Sequence, residues 1–128
     1  MLQKEVVSRM AAAPGNKEYG RLTVMLAPRV RVEPLFDIGT GAFNPPPRVV
    51  STFVALSPHD ESPFVLRNEA GYARVVAAAF AQRRKTLRNS LAPLLDSTAI
   101  EAAGVDPSLR PERLPPESFA RLADQLAQ

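Results

Sequence analysis

The sequence predicts an α/β segment followed by an all-α bundle, within a chain of 128 residues. Three observations lead there. Two stretches rich in β-branched residues, 29–38 and 49–56, flank the triple proline Pro45-Pro46-Pro47. From Asn68 onward, apolar residues recur at helical spacing in several successive segments. The composition is 45% hydrophobic with no cysteine, which suits a chain that builds a core without disulfides or thiolate metal sites. The boundaries fall at 1–58 for the mixed part, 59–67 for a linker and 68–128 for the helical part.

Taken in order, Met1-Leu2-Gln3 starts abruptly. Residues 4–13 are helix formers with Val6, Val7 and Met10 on one stripe, and Pro14-Gly15 stops them. Leu22, Val24, Met25 and Leu26 suggest a short buried helix before Pro28, although helix and strand are hard to separate over so short a run. Residues 29–38 alternate, with Val30, Val32 and Pro34 facing one way and Arg29, Arg31 and Glu33 the other, so a strand is predicted. Three prolines remove three donors and fix three φ angles, which makes 43–47 a stiff extended loop. Residues 49–56 form a second strand, antiparallel to the first. A strand pair alone is marginal in water and needs more sheet or a covering helix.

Beyond the linker, Asn68 caps a helix over 69–81 whose apolar face is Tyr72, Val75, Val76, Ala79 and Phe80. A basic helix follows, either directly or after a short break, and ends near Asp96. Ser97 or Thr98 caps a third helix that stops at Gly104. Pro115-Pro116 opens a last helix with Phe119, Leu122, Ala123 and Leu126 on one face.

Several function classes are excluded or disfavoured. The longest purely apolar run, Val75 to Ala81, is too short to span a bilayer. The N-terminus has Lys4, Glu5 and Arg9 and no apolar core with a cleavage site, so no secretory signal is expected, and the lack of cysteine fits a reducing cytoplasm. The single histidine, His59, lies in a polar stretch without other ligands at metal spacing and is read as a surface residue.

The net charge of +3 conceals a concentration. Residues 67–95 carry six cations against Glu69, whereas 96–128 carry three against six carboxylates. Four of the cations, Arg83, Arg84, Lys85 and Arg88, lie within six residues. Read as a helix, the segment puts Arg84 and Arg88 on one face and Leu87, Leu91, Leu94 and Leu95 on another. Such a segment buries its leucines while presenting guanidinium forks, which meet phosphate oxygens two at a time. On charge alone, the favoured reading is a solvated basic helix face, because most charge runs only solubilise.

The stretch Phe80-Ala81-Gln82-Arg83-Arg84-Lys85-Thr86-Leu87-Arg88-Asn89-Ser90-Leu91 resembles the F-x-x-R-R-K-T-L-x-N-x-L signature of the small-subunit (16S-type) ribosomal RNA adenine dimethyltransferase family. Phe43-Asn44-Pro45-Pro46-Pro47-Arg48-Val49-Val50-Ser51 resembles that family's F-x-P-x-P-K-V-D-S motif, with Arg48 in place of Lys and Val50 in place of Asp. Gln3-Lys4-Glu5-Val6-Val7 and Tyr19-Gly20-Arg21-Leu22 match two further stretches in the same order. The resemblance runs over essentially the whole chain and implies the C-terminal half of such an enzyme.

By that resemblance, 1–58 is the C-terminal part of a Rossmann-like methyltransferase domain and 68–128 a helical RNA-binding domain. Met1–Gln3 would end a central parallel strand, and 29–38 and 49–56 would be the last two strands of the sheet, one of them antiparallel. The implied reaction transfers four methyl groups from S-adenosylmethionine to two adjacent adenines of small-subunit rRNA. No G-x-G-x-x-G turn is present, and Gly39-Thr40-Gly41 leads into prolines rather than a helix, so no cofactor is expected to bind this chain alone.

Phe43, Asn44 and Pro45 are candidates for the wall of the target-adenine pocket, since a base must leave its stack to reach a methyl donor. On the residues alone, the favoured reading is that Phe43 packs into the sheet edge and Pro45–Pro47 is only a turn. Arg83, Arg84, Lys85 and Arg88 are candidate RNA-phosphate anchors. Some of them could instead brace the bundle, Arg84 by pairing with Asp96 or Glu101. Expected partners are small-subunit rRNA or the ribosomal subunit, and through an exposed sheet edge either the missing half or a second copy. The alternative function is a non-catalytic rRNA-binding or ribosome-assembly module.

Overall fold

A computed structural model describes residues 1–38 and 50–126. Its sheet has three strands, β1 (Leu2–Gln3), β2 (Val30–Ile38) and β3 (Ser51–Pro58), in the order β1-β3-β2. β3 is antiparallel to both neighbours, so β1 and β2 run in the same direction. The β2–β3 register pairs Val30 with Pro58 and Ile38 with Ser51, and shifts between Pro34 and Phe36. Leu35 is thus an extra residue in β2, and beyond it the side chains change face relative to a simple alternation.

One face of the sheet meets α1 (Lys4–Met10), whose Val7 and Met10 are buried, and takes in buried Thr52. α1 is shorter than the predicted 4–13, because its last turn closes at Ala11 on the Val7 carbonyl. Lys4 and Asp37 pair at 2.8 Å, and the Thr52 hydroxyl donates to the same carboxylate at 2.7 Å. These contacts hold the Asp37 carboxyl below the usual carboxylate range, the Lys4 hydrogen bond being the largest cause. The other face carries the cross-strand pair Phe36 and Phe53, with ring centroids 4.9 Å apart. They are 57% and 40% exposed, so nothing among the described residues covers them.

α2 (Arg21–Leu26) follows a loop and begins with the Gly20 amide donating to Thr23 Oγ1. The Thr23 hydroxyl in turn donates to the Arg9 carbonyl and ties α2 to the end of α1. Val24 of α2 is buried in the core cluster shared with the helical part. The Tyr72 hydroxyl donates to the Val24 carbonyl at 2.5 Å, and the Tyr19 hydroxyl to the Leu114 carbonyl at 2.5 Å. One buried cluster therefore takes Tyr19 and Val24 from before the linker together with apolar residues between Tyr72 and Leu126.

The helical part comprises α3 (Glu69–Ala81), α4 (Leu87–Ser90), α5 (Ser97–Ala102), a 3-10 turn (Pro111–Arg113) and α6 (Pro116–Asp124). α3 has the predicted bounds, and Asn68 caps it by accepting from the Gly71 amide at 2.9 Å. Tyr72, Val75, Val76 and Ala79 are buried and Phe80 is half-buried, stacking near Phe119 at 5.6 Å. α6 buries Phe119, Leu122 and Ala123 against α3, as its spacing predicts.

Two expectations are corrected. The cap of α5 is Asp96, whose carboxylate accepts from the Ala99 amide at 2.8 Å, rather than Ser97 or Thr98. A carboxylate one residue earlier reaches the third helical amide, which hydroxyls already inside the helix cannot do. The basic run is not a helix: α3 ends at Ala81, residues 82–86 turn, and α4 is only four residues long. Its leucines are buried nonetheless, with Leu87, Leu91 and Leu95 inside the core and Leu94 packed against it.

Candidate nucleic-acid interface

The loop from Gln82 to Thr86 positions the candidate cations. Thr86 is extended, with φ −69° and ψ 160°, and restarts the chain into α4. The first α4 amides are satisfied from outside the helix: Leu87 donates to the Leu109 carbonyl and Arg88 to the Pro107 carbonyl, both at 2.9 Å. The loop is consequently pinned at its base while Arg84 and Lys85 stand at its apex. Arg84, Lys85 and Arg88 are exposed and enter none of the ion pairs among the described residues. They are free to meet an anion. Because α3 and α4 are separate helices, Arg84 and Arg88 do not share a helical face.

Arg83 differs from its neighbours. Its side chain is 35% exposed and donates to the Tyr19 carbonyl at 2.6 Å and to Glu112 at 3.4 Å. The bracing role expected of Arg84 belongs to Arg83, and no pairing of Arg84 with Asp96 or Glu101 occurs among the described residues. The reason is direction. At the end of α3, Arg83 lies against Gly20, where even an added Cβ would come 3.7 Å from its guanidinium, whereas Arg84 turns outward.

Arg83 and Phe80 also line a cavity of about 540 Å³ with Arg9, Lys17, Glu18 and Arg21. Arg9 lies on α1, Lys17 and Glu18 on the loop leading into α2 and Arg21 at the first position of α2, all more than fifty residues from the basic run. Sequence reasoning did not single out Lys17 or Arg21 as functional. The only available signal was that Arg21 falls within Tyr19-Gly20-Arg21-Leu22.

Phe43, Asn44 and Pro45 lie outside the described residues, as does Gly39-Thr40-Gly41. His59 is half-buried, with its backbone amide on the Arg29 carbonyl at 3.0 Å. Among the described residues no cluster suited to a metal ion occurs, and no helix is long and apolar enough to cross a membrane.

A family model described as ribosomal RNA adenine dimethylase matches residues 1–128. A ribosomal RNA small subunit methyltransferase A of Pseudomonas putida is 61% identical over 127 residues, which cover 99% of this chain and 48% of that protein. The corresponding protein of Methylobacillus flagellatus is 50% identical over 127 residues, covering 99% of this chain and 50% of its own length. The chain thus spans about half the length of the curated relatives it matches.

Among solved structures, a dimethyladenosine transferase from Plasmodium falciparum superposes with a TM-score of 0.78 at 24% identity, over 94% of this chain and 53% of that one. The 23S rRNA methyltransferase ErmE superposes with a TM-score of 0.68 at 25% identity, over 98% of this chain and 52% of that one.

Proposed function

The chain belongs to the ribosomal RNA adenine dimethylase family, and from that premise we propose that it is the C-terminal half of an S-adenosylmethionine-dependent enzyme that dimethylates two adjacent adenines of small-subunit rRNA. The observation that carries the reading is the family match over all 128 residues. The arrangement of the sheet supports it. An antiparallel strand lies between two strands of common direction, with an open β1 edge and the uncovered pair Phe36 and Phe53. Such a sheet fits the closing strands of a larger Rossmann-like sheet whose remainder covers that face.

In this reading residues 1–58 complete the methyltransferase domain and 68–128 grip RNA, with 59–67 between them. Arg84, Lys85 and Arg88 anchor phosphates, while Arg83 divides its donors between the fold and the RNA. Phosphate contacts orient the protein and make affinity salt-dependent, but they do not select the base. Selection falls to RNA shape and to the adenine pocket, to which Phe43, Asn44 and Pro45 are assigned. S-adenosylmethionine binds the other half of the protein, so this chain alone is not catalytic. The partner is the small ribosomal subunit in the cytoplasm.

A second reading is a non-catalytic rRNA-binding or assembly module, supported by the exposed cations Arg84, Lys85 and Arg88 on the helical part.

The test uses undermethylated small ribosomal subunits, radiolabelled S-adenosylmethionine and the purified chain, with filter binding across a salt series. The expected result is salt-sensitive binding without methyl transfer, and transfer on adding the remaining half of a family enzyme. Transfer by the chain alone would overturn the assignment of the donor site elsewhere. Binding with no transfer even in the reconstituted mixture would favour the assembly module.

A further inference from the structure

The cavity beside Arg83 gathers more positive charge than the fold requires. Arg9, Lys17, Arg21 and Arg83 line it against a single carboxylate, Glu18. Two of these cations have structural duties. Arg9 pairs with Glu5 at 2.7 Å and approaches Glu18 at 4.0 Å, and Arg83 holds the Tyr19 carbonyl and Glu112. Lys17 and Arg21 are exposed and enter no ion pair among the described residues.

Packing cations around one concavity raises the electrostatic energy of the compact state, and a bound polyanion relieves it. A cleft with low-dielectric walls also concentrates the field. One wall here is apolar, built from Phe80 and Leu22.

The cavity is continuous with the basic loop. Phe80 and Arg83 line both it and the shallower depression bounded by Arg84 and Lys85. The two sets of cations therefore form one track. It runs from Lys17 and Arg21, across Arg83, to Arg84 and Lys85. A track of that kind fits a chain of linked phosphates better than one isolated anion, because each group of cations meets a successive charge on the same strand.

We propose that this cavity is a second phosphate-binding site, in which Lys17 and Arg21 hold a backbone phosphate of the same RNA that Arg84 and Lys85 contact. The inference rests on the RNA-binding reading above and extends it to residues 17–21, far from the basic run in sequence. Arg21 supplies the bidentate fork and Lys17 a point charge.

The test compares four forms of the full chain, wild type, the double variant Lys17→Ala/Arg21→Ala, the double variant Arg84→Ala/Lys85→Ala and the single variant Arg21→Lys. Each is titrated with undermethylated small ribosomal subunits across a potassium chloride series, and its thermal midpoint is recorded. Because Lys17 and Arg21 are exposed, their replacement should leave the midpoint unchanged. The expected result is about a tenfold loss of affinity at low salt and a log–log salt slope shallower by about one to two. Arg21→Lys should keep the slope while losing part of the affinity.

An unchanged affinity and slope for Lys17→Ala/Arg21→Ala, with weakening by Arg84→Ala/Lys85→Ala, would overturn this inference and leave the RNA-binding reading standing. Weakening by neither variant would overturn both. Inorganic phosphate serves as competitor. Displacement of the subunits by millimolar phosphate from the wild type but not from Lys17→Ala/Arg21→Ala would mark a site for free phosphate and overturn the assignment to an RNA backbone.

Discussion

The Arg83 guanidinium donates to the backbone carbonyl of Tyr19 at 2.6 Å, sixty-four residues earlier in the chain. The contact joins the end of α3 to the loop before α2. Within a run of cations that looks uniform in sequence, it gives one residue a duty the others lack. Arg83→Ala should therefore lower stability, whereas Arg84→Ala and Lys85→Ala should lower RNA affinity alone. With the side chain partly exposed, the loss at Arg83 is about 1 kcal/mol, or roughly 4 °C in thermal midpoint. Calorimetry on the three single variants checks the split. Equal midpoints for all three would refute it.

Tyr19 and Tyr72 anchor the loop before α2 and α2 itself to the bundle through their hydroxyls on Leu114 and Val24. Tyr72→Phe leaves the buried Val24 carbonyl unpaired and should cost about 1–3 kcal/mol in urea unfolding, with Tyr19→Phe similar. Burial raises both phenols above their ordinary value of 10.0. A folded-state pKa above the unfolded one contributes stability that is complete below pH 10 and is lost as pH rises beyond it. Unfolding at pH 11 should consequently need less urea than at pH 8, and the Tyr72→Phe variant should show a smaller alkaline loss.

The cap of α3 depends on two neighbours at once. Asn68 accepts from the Gly71 amide and donates to the Ala123 carbonyl at 3.2 Å, fastening α3 to α6. Asn68→Ala should cost about 1 kcal/mol or somewhat more, measured by chemical denaturation. A Cβ at position 71 would collide with the Asn68 amide, so Gly71→Ala should also destabilise despite the better helix propensity of alanine. A stabilising Gly71→Ala would show that the cap does not hold as described.

At the sheet, Lys4 and Thr52 depress the Asp37 carboxyl below its ordinary 3.8. The sign is the reverse of the tyrosines. This contribution is present above the unfolded value and is lost as pH falls through the lowered one. Lys4→Ala should move the Asp37 titration upward in a carboxyl-resolved NMR experiment. An unmoved titration would mean that the pair does not persist in solution.

The chain's own pattern was sufficient wherever one element is long and its stripe unbroken. α3 was legible to the residue because thirteen residues carry both a cap and an i, i+3, i+4 apolar series. The α6 face was legible for the same reason, whereas the antiparallel β2–β3 pair was legible from β-branched composition on either side of the proline run. A break after α3 was an open alternative, but its place at 82–86 was not legible. The leucines from 87 to 95 keep helical spacing whether the chain turns or continues. What stops the helix is distant backbone, with the Leu109 and Pro107 carbonyls taking the amides of Leu87 and Arg88.

The family likeness, the order of the elements and the basic patch thus lie in the sequence itself, because they depend on residue identity and near-neighbour spacing. Tertiary structure alone decided which cation braces and which remain free, and that Lys17 and Arg21 join Arg83 around one cavity. Those relations depend on where separate segments meet in space, and no local periodicity encodes a contact across sixty residues.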